Sequence, residues 1–300
     1  MFAIIAVAIL AADPPRIPVV VTTDCGAEVD DQWALAHLAL SPEIVIKGVV
    51  TTHAPSLKAP GAETAAKVAR EVFDHMGIKE APPILAGSSE PLGKDGKPRD
   101  NAGVRLLLDA AKSHSSDDRL TVVMIGAATD VASALLIDPS WADRVRIVAM
   151  AFDGWPDGGD PWNVKNDVRA WQIVMGSRVP LVVGDARITQ KRLIQTPTTA
   201  RARIAAKGPR GEALAAMLET FIAREPKMVE LVSGKPDAWP IWDEVVVAYL
   251  LGMTKQEEHM RPILRDDRTF DHSLNRGSIT WITEIDADRL WDDLARKVAR

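Results

Sequence analysis

The feature that most constrains the fold is a repeated alternation of short β-branched runs with stretches of helical periodicity. Ile17–Thr22 (IPVVVT) is followed by an amphipathic segment, Asp31–Leu40, and then by Ile44–Thr51 (IVIKGVVT). The rhythm continues with a helix over Ala62–His75, a strand at Pro83–Ala86, a helix at Leu106–Lys112 and a strand at Leu120–Ile125. Val131–Leu136 reads as helix, Val145–Ala151 as strand, Val168–Met175 as helix and Val179–Val183 as strand. Strands that alternate with crossover helices pair in parallel, and near-continuous apolar runs suit strands covered on both faces. The expected fold is therefore α/β: a mainly parallel, Rossmann-like open sheet with helices on both faces. Ligands of such sheets bind in the crevice beyond the C-terminal strand ends, so candidate motifs are judged by whether they fall there.

From Ala200 onward the chain becomes more helical, through Gly211–Arg224 and Glu244–Leu251. Two late strands are expected near Met260–Leu264 and Gly277–Ile285, ahead of a C-terminal helix. No Ser/Gly/Pro-rich linker and no internal repeat divides the chain, so residues 13–300 are expected as one domain. Residues 1–12 are set aside. Phe2–Ala12 (FAIIAVAILAA) is an apolar run ending in small residues, as in a secretory leader, although no Lys or Arg precedes it. A first strand is the competing reading, but Ile17–Thr22 makes a better one directly before the first acidic motif. The expectation is export, periplasmic or secreted; without a leader the chain would be cytoplasmic.

Composition removes several classes. A net charge of -5 gives no general attraction to nucleic acid or anionic membranes. No window holds the roughly 18 consecutive apolar residues of a membrane-spanning helix. Cys25 is the one cysteine, which rules out an intrachain disulfide.

The chemistry concentrates at the end of the first strand. Val19–Asp31 reads VVVTTDCGAEVDD, with Asp24 where the strand ends and Glu28, Asp30 and Asp31 in a Gly-containing turn that enters a helix. Carboxylates this close repel one another, so folding them together calls for a cation or raised pKa values. Hard oxygen donors suit Ca²⁺ or Mg²⁺ rather than zinc. Helix capping by Asp30 or Asp31 is the plainer explanation, but it covers one or two acids rather than four.

This opening, DCGAEVDDQWALAHLALSPEIVIKGVVTTHA, resembles that of inosine–uridine-type nucleoside hydrolases. The likeness continues in register. Pro83–Leu92 (PILAGSSEPL) resembles the family's third strand and loop, and Val122–Ala134 (VVMIGAATDVASA) its strand–Gly–x–x–Thr-Asn–helix element, with Asp130 in place of the Asn. Trp162–Trp171 (WNVKNDVRAW) resembles the segment with the sugar-binding Asn, and Val179–Pro197 the strand and loop after it. Ile241–Leu251 (IWDEVVVAYLL) resembles the late helix that brings the last metal ligand, and Arg276–Trp281 (RGSITW) the closing strand.

The resemblance implies a calcium-dependent hydrolase of ribonucleoside N-glycosidic bonds. Asp24, Asp31 and Asp243 would be side-chain calcium ligands, with the Ile125 carbonyl completing the protein shell. Asp24 would also act as general base toward the attacking water, and Asp30 and Asn163 would hold ribose hydroxyls. The implied partner is a small nucleoside or riboside, and the implied assembly a homodimer or homotetramer. Three positions depart from the family. Two extra residues separate Asp24 from the Asp30–Asp31 pair, in a Gly-x-Glu-x-Asp-Asp form found in divergent relatives. Pro161 stands where an acid normally precedes the sugar-binding Asn, leaving Asp160 as a substitute. Trp242 replaces the usual His before the last ligand. Indole cannot be a general acid; it either stacks on a base or sugar, or fills the core.

Other residues carry weaker expectations. His53 follows the second strand and is either a site residue or a loop residue. His37 reads as a packed core histidine, Cys25 as small filler, and His259 and His272 as solvated. Of the nine tryptophans, Trp155, Trp162 and Trp242 fall in segments expected to face the cleft. Two other classes remain open: an exported non-catalytic or repurposed sugar- or nucleoside-binding protein, and a Mg²⁺ phosphohydrolase. The latter has only Lys47 and Thr51 as weak phosphate-binding candidates.

Overall fold

A computed structural model describes residues 16–93, 95–160, 162–274 and 276–300; the leader expected over 1–12, and Pro161, lie outside the described residues. The expected alternation is realised as one eight-stranded sheet. Its strands are β1 (Ile17–Thr23), β2 (Ile44–Thr51), β3 (Ile84–Ala86), β4 (Leu120–Met124), β5 (Val145–Met150) and β6 (Leu181–Gly184). Two short strands, β7 (Ile194–Gln195) and β8 (Trp239–Pro240), pair outside it, as do β10 (Ile263–Leu264) and β11 (Phe270–Asp271). β9 (Thr254–Met260) and β12 (Ser278–Ile285) complete the sheet in the order β3-β2-β1-β4-β5-β6-β12-β9. All neighbours in it are parallel except β9, which runs antiparallel to β12 at the edge.

The helices follow the sequence pattern. On one face lie α1 (Asp30–Leu40), α2 (Gly61–His75), α9 (Pro209–Arg224), α11 (Glu244–Leu250) and α12 (Ala287–Val298). On the other lie α3 (Ala102–Ala110), α4 (Thr129–Ile137) and α6 (Val168–Gly176). Period-two alternation explains the division: Val19 and Val21 of β1 join the first core, and Val20 between them joins the second. The remaining helices are α5 (Asn163–Asn166), α7 (Ala186–Arg192), α8 (Pro197–Arg203) and α10 (Pro226–Ser233). Among the described residues no helix is long and apolar enough to cross a membrane.

One expected strand is displaced. A strand over Met260–Leu264 was expected; the sheet strand is Thr254–Met260, and only the two-residue β10 falls where expected. β9 reads TKQEEHM and is largely exposed. An edge strand needs no apolar face, and charge on it discourages pairing with another chain, so its sequence carries no β-branched signal.

The order reverses direction at β1. β2 flanks it on one side and β4 on the other, which puts a topological switch point at the C-terminal ends of β1 and β4. Asp24 follows β1 and Ile125 follows β4.

Candidate active site

The turn after β1 has a glycine requirement that fixes its path. Gly26 has φ +96°, and a Cβ there would lie 2.9 Å from Val68 Cγ2. Across the switch point a Cβ on Gly126 would lie 2.7 Å from the Asp24 amide nitrogen, so the two strand ends meet backbone to backbone. α1 then opens with Val29 as N-cap and no side-chain cap. Capping therefore accounts for neither Asp30 nor Asp31.

Over 200 residues later, β8 and the Ile241–Asp243 turn bring Asp243 to the same place. Carboxylate oxygens of Asp30, Asp31 and Asp243 all lie within 4.8 Å of one another. All three residues are buried. Asp31 Oδ1 accepts from the Thr23 hydroxyl, whereas Asp30 Oδ1 has no hydrogen-bond partner. Asp243 stands at the N-cap position of α11 without making a cap bond. Burial pushes the Asp30 pKa up to about 7. It pushes Asp31 and Asp243 well above the usual carboxylate range, with repulsion from Asp24 and Asp30 adding to it. Asp24 and the partly exposed Glu28 are raised too, first by burial and then by neighbouring carboxylates. An acidic group with raised pKa values and an unpartnered buried oxygen fits a hard divalent cation.

This group lies in a cleft of about 510 Å³, which also takes in Asp24, Ile125, Asp160, Asn163 and Trp242. Most of the sequence candidates are thus brought together. The triad differs in one respect from the expected ligand set: Asp30, expected to hold sugar, stands within it beside Asp31 and Asp243. Ile125 is buried, and its carbonyl accepts from Asn163 Nδ2 at 3.4 Å. The same amide donates to Met150 O at 3.1 Å, which leaves Asn163 Oδ1 to accept from a hydroxyl.

Asp160 lines the cleft, but its carboxylate is spent on the backbone. It accepts from the amides of Trp162 (2.5 Å), Phe152 (3.2 Å) and Val164 (3.2 Å). Those bonds hold Asp160 at φ +90°, a region costly for a side chain. Burial still raises its pKa to about 6.

His53 does not line the cleft. The Thr129 hydroxyl donates to Asp167 Oδ2 at 2.7 Å, so His53 Nε2, 3.0 Å from Thr129 Oγ1, is the donor of that pair. Burial lowers the His53 pKa, which keeps the ring neutral. Of the tryptophans, Trp162 and Trp242 line the cleft. Trp155 instead stacks on His259 at 4.3 Å and borders a separate depression, so neither it nor His259 is where the sequence put it. His272 is exposed, as expected, with its Nε2 donating to Pro156 O at 2.9 Å. Trp242 is 5 % exposed and meets Trp239 edge-on at 5.0 Å, so the ring is both core and cleft wall. Cys25 is fully buried; burial, then Asp31, push its thiol up and leave it a neutral filler. Asp130 ties loops together, accepting from Ser88 Oγ (2.7 Å) and Asn101 Nδ2 (2.9 Å). Lys47 is exposed and Thr51 donates to Ala62 O, so the phosphate-binding candidates are not at the cleft.

Arg187, Gln190, Leu231 and Val232 also line the cleft and were missed. Arg187 follows β6, a strand end, so the topological rule could have marked it. Leu231 is 85 % exposed on α10, a position no local pattern signals.

Comparison with known proteins agrees with this geometry. RihA of Salmonella enteritidis PT4, named a pyrimidine-specific ribonucleoside hydrolase, is 25 % identical over 267 residues, covering 78 % of this chain and 79 % of that one. A plant nucleoside hydrolase, PpNRh1, superposes with a TM-score of 0.76 at 17 % identity over 95 % of this chain and 99 % of its own. A purine-preferring ribonucleoside hydrolase from Gardnerella vaginalis does so with a TM-score of 0.76 at 19 % identity, over 94 % and 98 %. Residues 19–292 match the profile described as inosine-uridine preferring nucleoside hydrolase. With that match over most of its length, the chain belongs to this family and is an N-glycosyl hydrolase.

Proposed function

We propose that the chain is a calcium-dependent hydrolase of ribonucleosides or related ribosides. The observation that carries this is the buried Asp30–Asp31–Asp243 triad, closed to within 4.8 Å in the cleft, with Asp24 near enough to raise Asp31 and Asp243 by charge repulsion. Asp24, Asp31 and Asp243 would hold the ion with the Ile125 carbonyl, and hard oxygen donors of this kind favour calcium over softer metals. When bound, a divalent ion restores these carboxylates to their ionised form, acidifies an attacking water and anchors a sugar diol.

The side chains divide the remaining work. Asp24, at the strand end, takes the proton from the attacking water. Asp30, whose Oδ1 accepts from no protein donor, and Asn163, whose amide nitrogen is held by two carbonyls, receive ribose hydroxyls. The remaining carboxylates stabilise the positive charge that develops on the sugar as the N-glycosidic bond breaks. Attack from the floor of the cleft on one face of the sugar, with the base leaving on the other, inverts the anomeric carbon. Trp242 supplies an apolar wall for the departing base. The relatives' named preferences differ, pyrimidine in one and purine in another, so neither base is assigned.

Asp24→Asn is the test. It is expected to bind calcium more weakly, as loss of a charged ligand requires, and, at calcium high enough to load the site, to bind nucleoside while hydrolysis falls by about 10² to 10⁴-fold through loss of the base. A variant that hydrolyses at the wild-type rate would remove Asp24 from the role. A wild type that binds nucleoside and cleaves none would favour the repurposed binding protein.

A further inference from the structure

We infer that His37 is a positioning residue: from the last turn of α1 it joins Glu244 on α11 to Asp293 on α12, and so fixes the span between the Asp30–Asp31 pair and Asp243. The inference rests on the cation reading above.

His37 is fully buried. Its Nδ1 lies 2.8 Å from Glu244 Oε2 and its Nε2 3.0 Å from Asp293 Oδ2. Ionised carboxylates only accept, so both ring nitrogens carry hydrogens and the ring is an imidazolium. Burial alone would lower the His37 pKa, but Glu244 and Asp293 outweigh it and hold it above the usual value. The network closes on itself. Lys297 Nζ lies 2.5 Å from Asp293 Oδ2 and donates to Ser41 Oγ at 2.8 Å, and that hydroxyl donates to the His37 carbonyl at 2.6 Å.

The placement matters because of what adjoins it. α1 carries Asp30 and Asp31 in its first turn and His37 two turns later on the same rigid element. Glu244 is the residue directly after Asp243. The two halves of the triad come from elements far apart in sequence, and His37–Glu244 is the charged bond between the two helices that begin at them. Apolar packing between α1 and α11 tolerates sliding, whereas charge-assisted bonds of fixed length set a register. Stability alone does not call for such a network, since replacing a buried ion pair with apolar residues of similar volume is often neutral or better.

The experiment uses that fact. His37→Leu/Glu244→Leu removes the imidazolium together with its nearest carboxylate, and leaves Asp293 paired with Lys297 and with Arg296 at 2.7 Å. Calcium affinity is read by titration calorimetry and by Tb³⁺ luminescence excited through tryptophan, and stability by thermal denaturation in chelator. Calcium is expected to bind about 10- to 100-fold more weakly, the usual cost of losing an outer partner of a metal ligand, with the chelated melting temperature unchanged or raised. His37→Gln keeps one N–H for a carboxylate and is expected to recover part of the affinity; it also serves if the double variant does not fold. Wild-type affinity in whichever variant folds overturns the inference and leaves the cation reading intact. A wild type that binds no calcium removes both.

Discussion

Neutralising one ligand should stabilise the metal-free protein while abolishing its response to calcium. Asp243 faces two carboxylates within 4.8 Å, and a pair of unit charges at that distance repels by about 3 to 4 kcal/mol at an effective dielectric constant of roughly 20. The cluster escapes part of this by keeping protons, so a net relief of about 2 kcal/mol is a fair figure for Asp243→Asn at pH 8. For a chain of this size that raises the melting temperature in chelator by about 3 °C. The pH dependence has a definite sign. The folded pKa values are raised, to about 7 for Asp30, so the folded state holds more protons than the unfolded one. Chelated wild type is therefore most stable near pH 4 and loses stability as pH rises through about 7, and the advantage of Asp243→Asn shrinks on acidification. With calcium at about 100 times its Kd, wild type should gain about 2.7 kcal/mol and the variant nothing. The assay is thermal denaturation of both proteins in chelator and in calcium at pH 4.5 and pH 8. An Asp243→Asn protein that melts lower than wild type in chelator at pH 8, and still rises with calcium, would refute the reasoning.

Three further outcomes are expected. No histidine lines the cleft among the described residues, so a leaving group that needs no proton should be favoured: p-nitrophenyl riboside should be cleaved far better than inosine, and Trp242→His should narrow the gap by about 10-fold or more; equal efficiency in the wild type would mean another acid is present. Asp160→Ala strands three backbone amides and leaves Ala at φ +90°, so it should cost about 2 to 4 kcal/mol in urea denaturation, with Asp160→Asn milder; a neutral Ala variant would deny the carboxylate this role. If residues 1–12 are a leader, intact-mass measurement of protein recovered from its host should place the start near Asp13, and retention of Met1 or Phe2 would reject export.

The parallel sheet was legible because its strands are buried on both faces and so read as continuous apolar runs. β1, β2, β4 and β5 stand within a residue of their expected limits. β9 was not legible, because an edge strand answers to solvent and its TKQEEHM looks like a charged loop. The acidic turn was legible as a site from density of charge alone, but the partner Asp243 came only from the family resemblance: nothing local in IWDE says which strand end it will meet. Asp160 was expected to offer a free carboxylate. Its three amide donors depend on how the chain from Phe152 to Val164 folds back, which side-chain spacing does not encode. His37 was expected as a packed core residue. It is buried, but its partners lie 207 and 256 residues away, beyond the reach of any periodicity.

The most direct measurement of the central claim is the release of free ribose from uridine and inosine, and of p-nitrophenol from the aryl riboside, by protein stripped of metal and then given calcium. The account predicts negligible release in chelator, restoration by about one equivalent of calcium, and no restoration in Asp31→Asn. Full release in chelator, or release by Asp31→Asn equal to wild type, would contradict it.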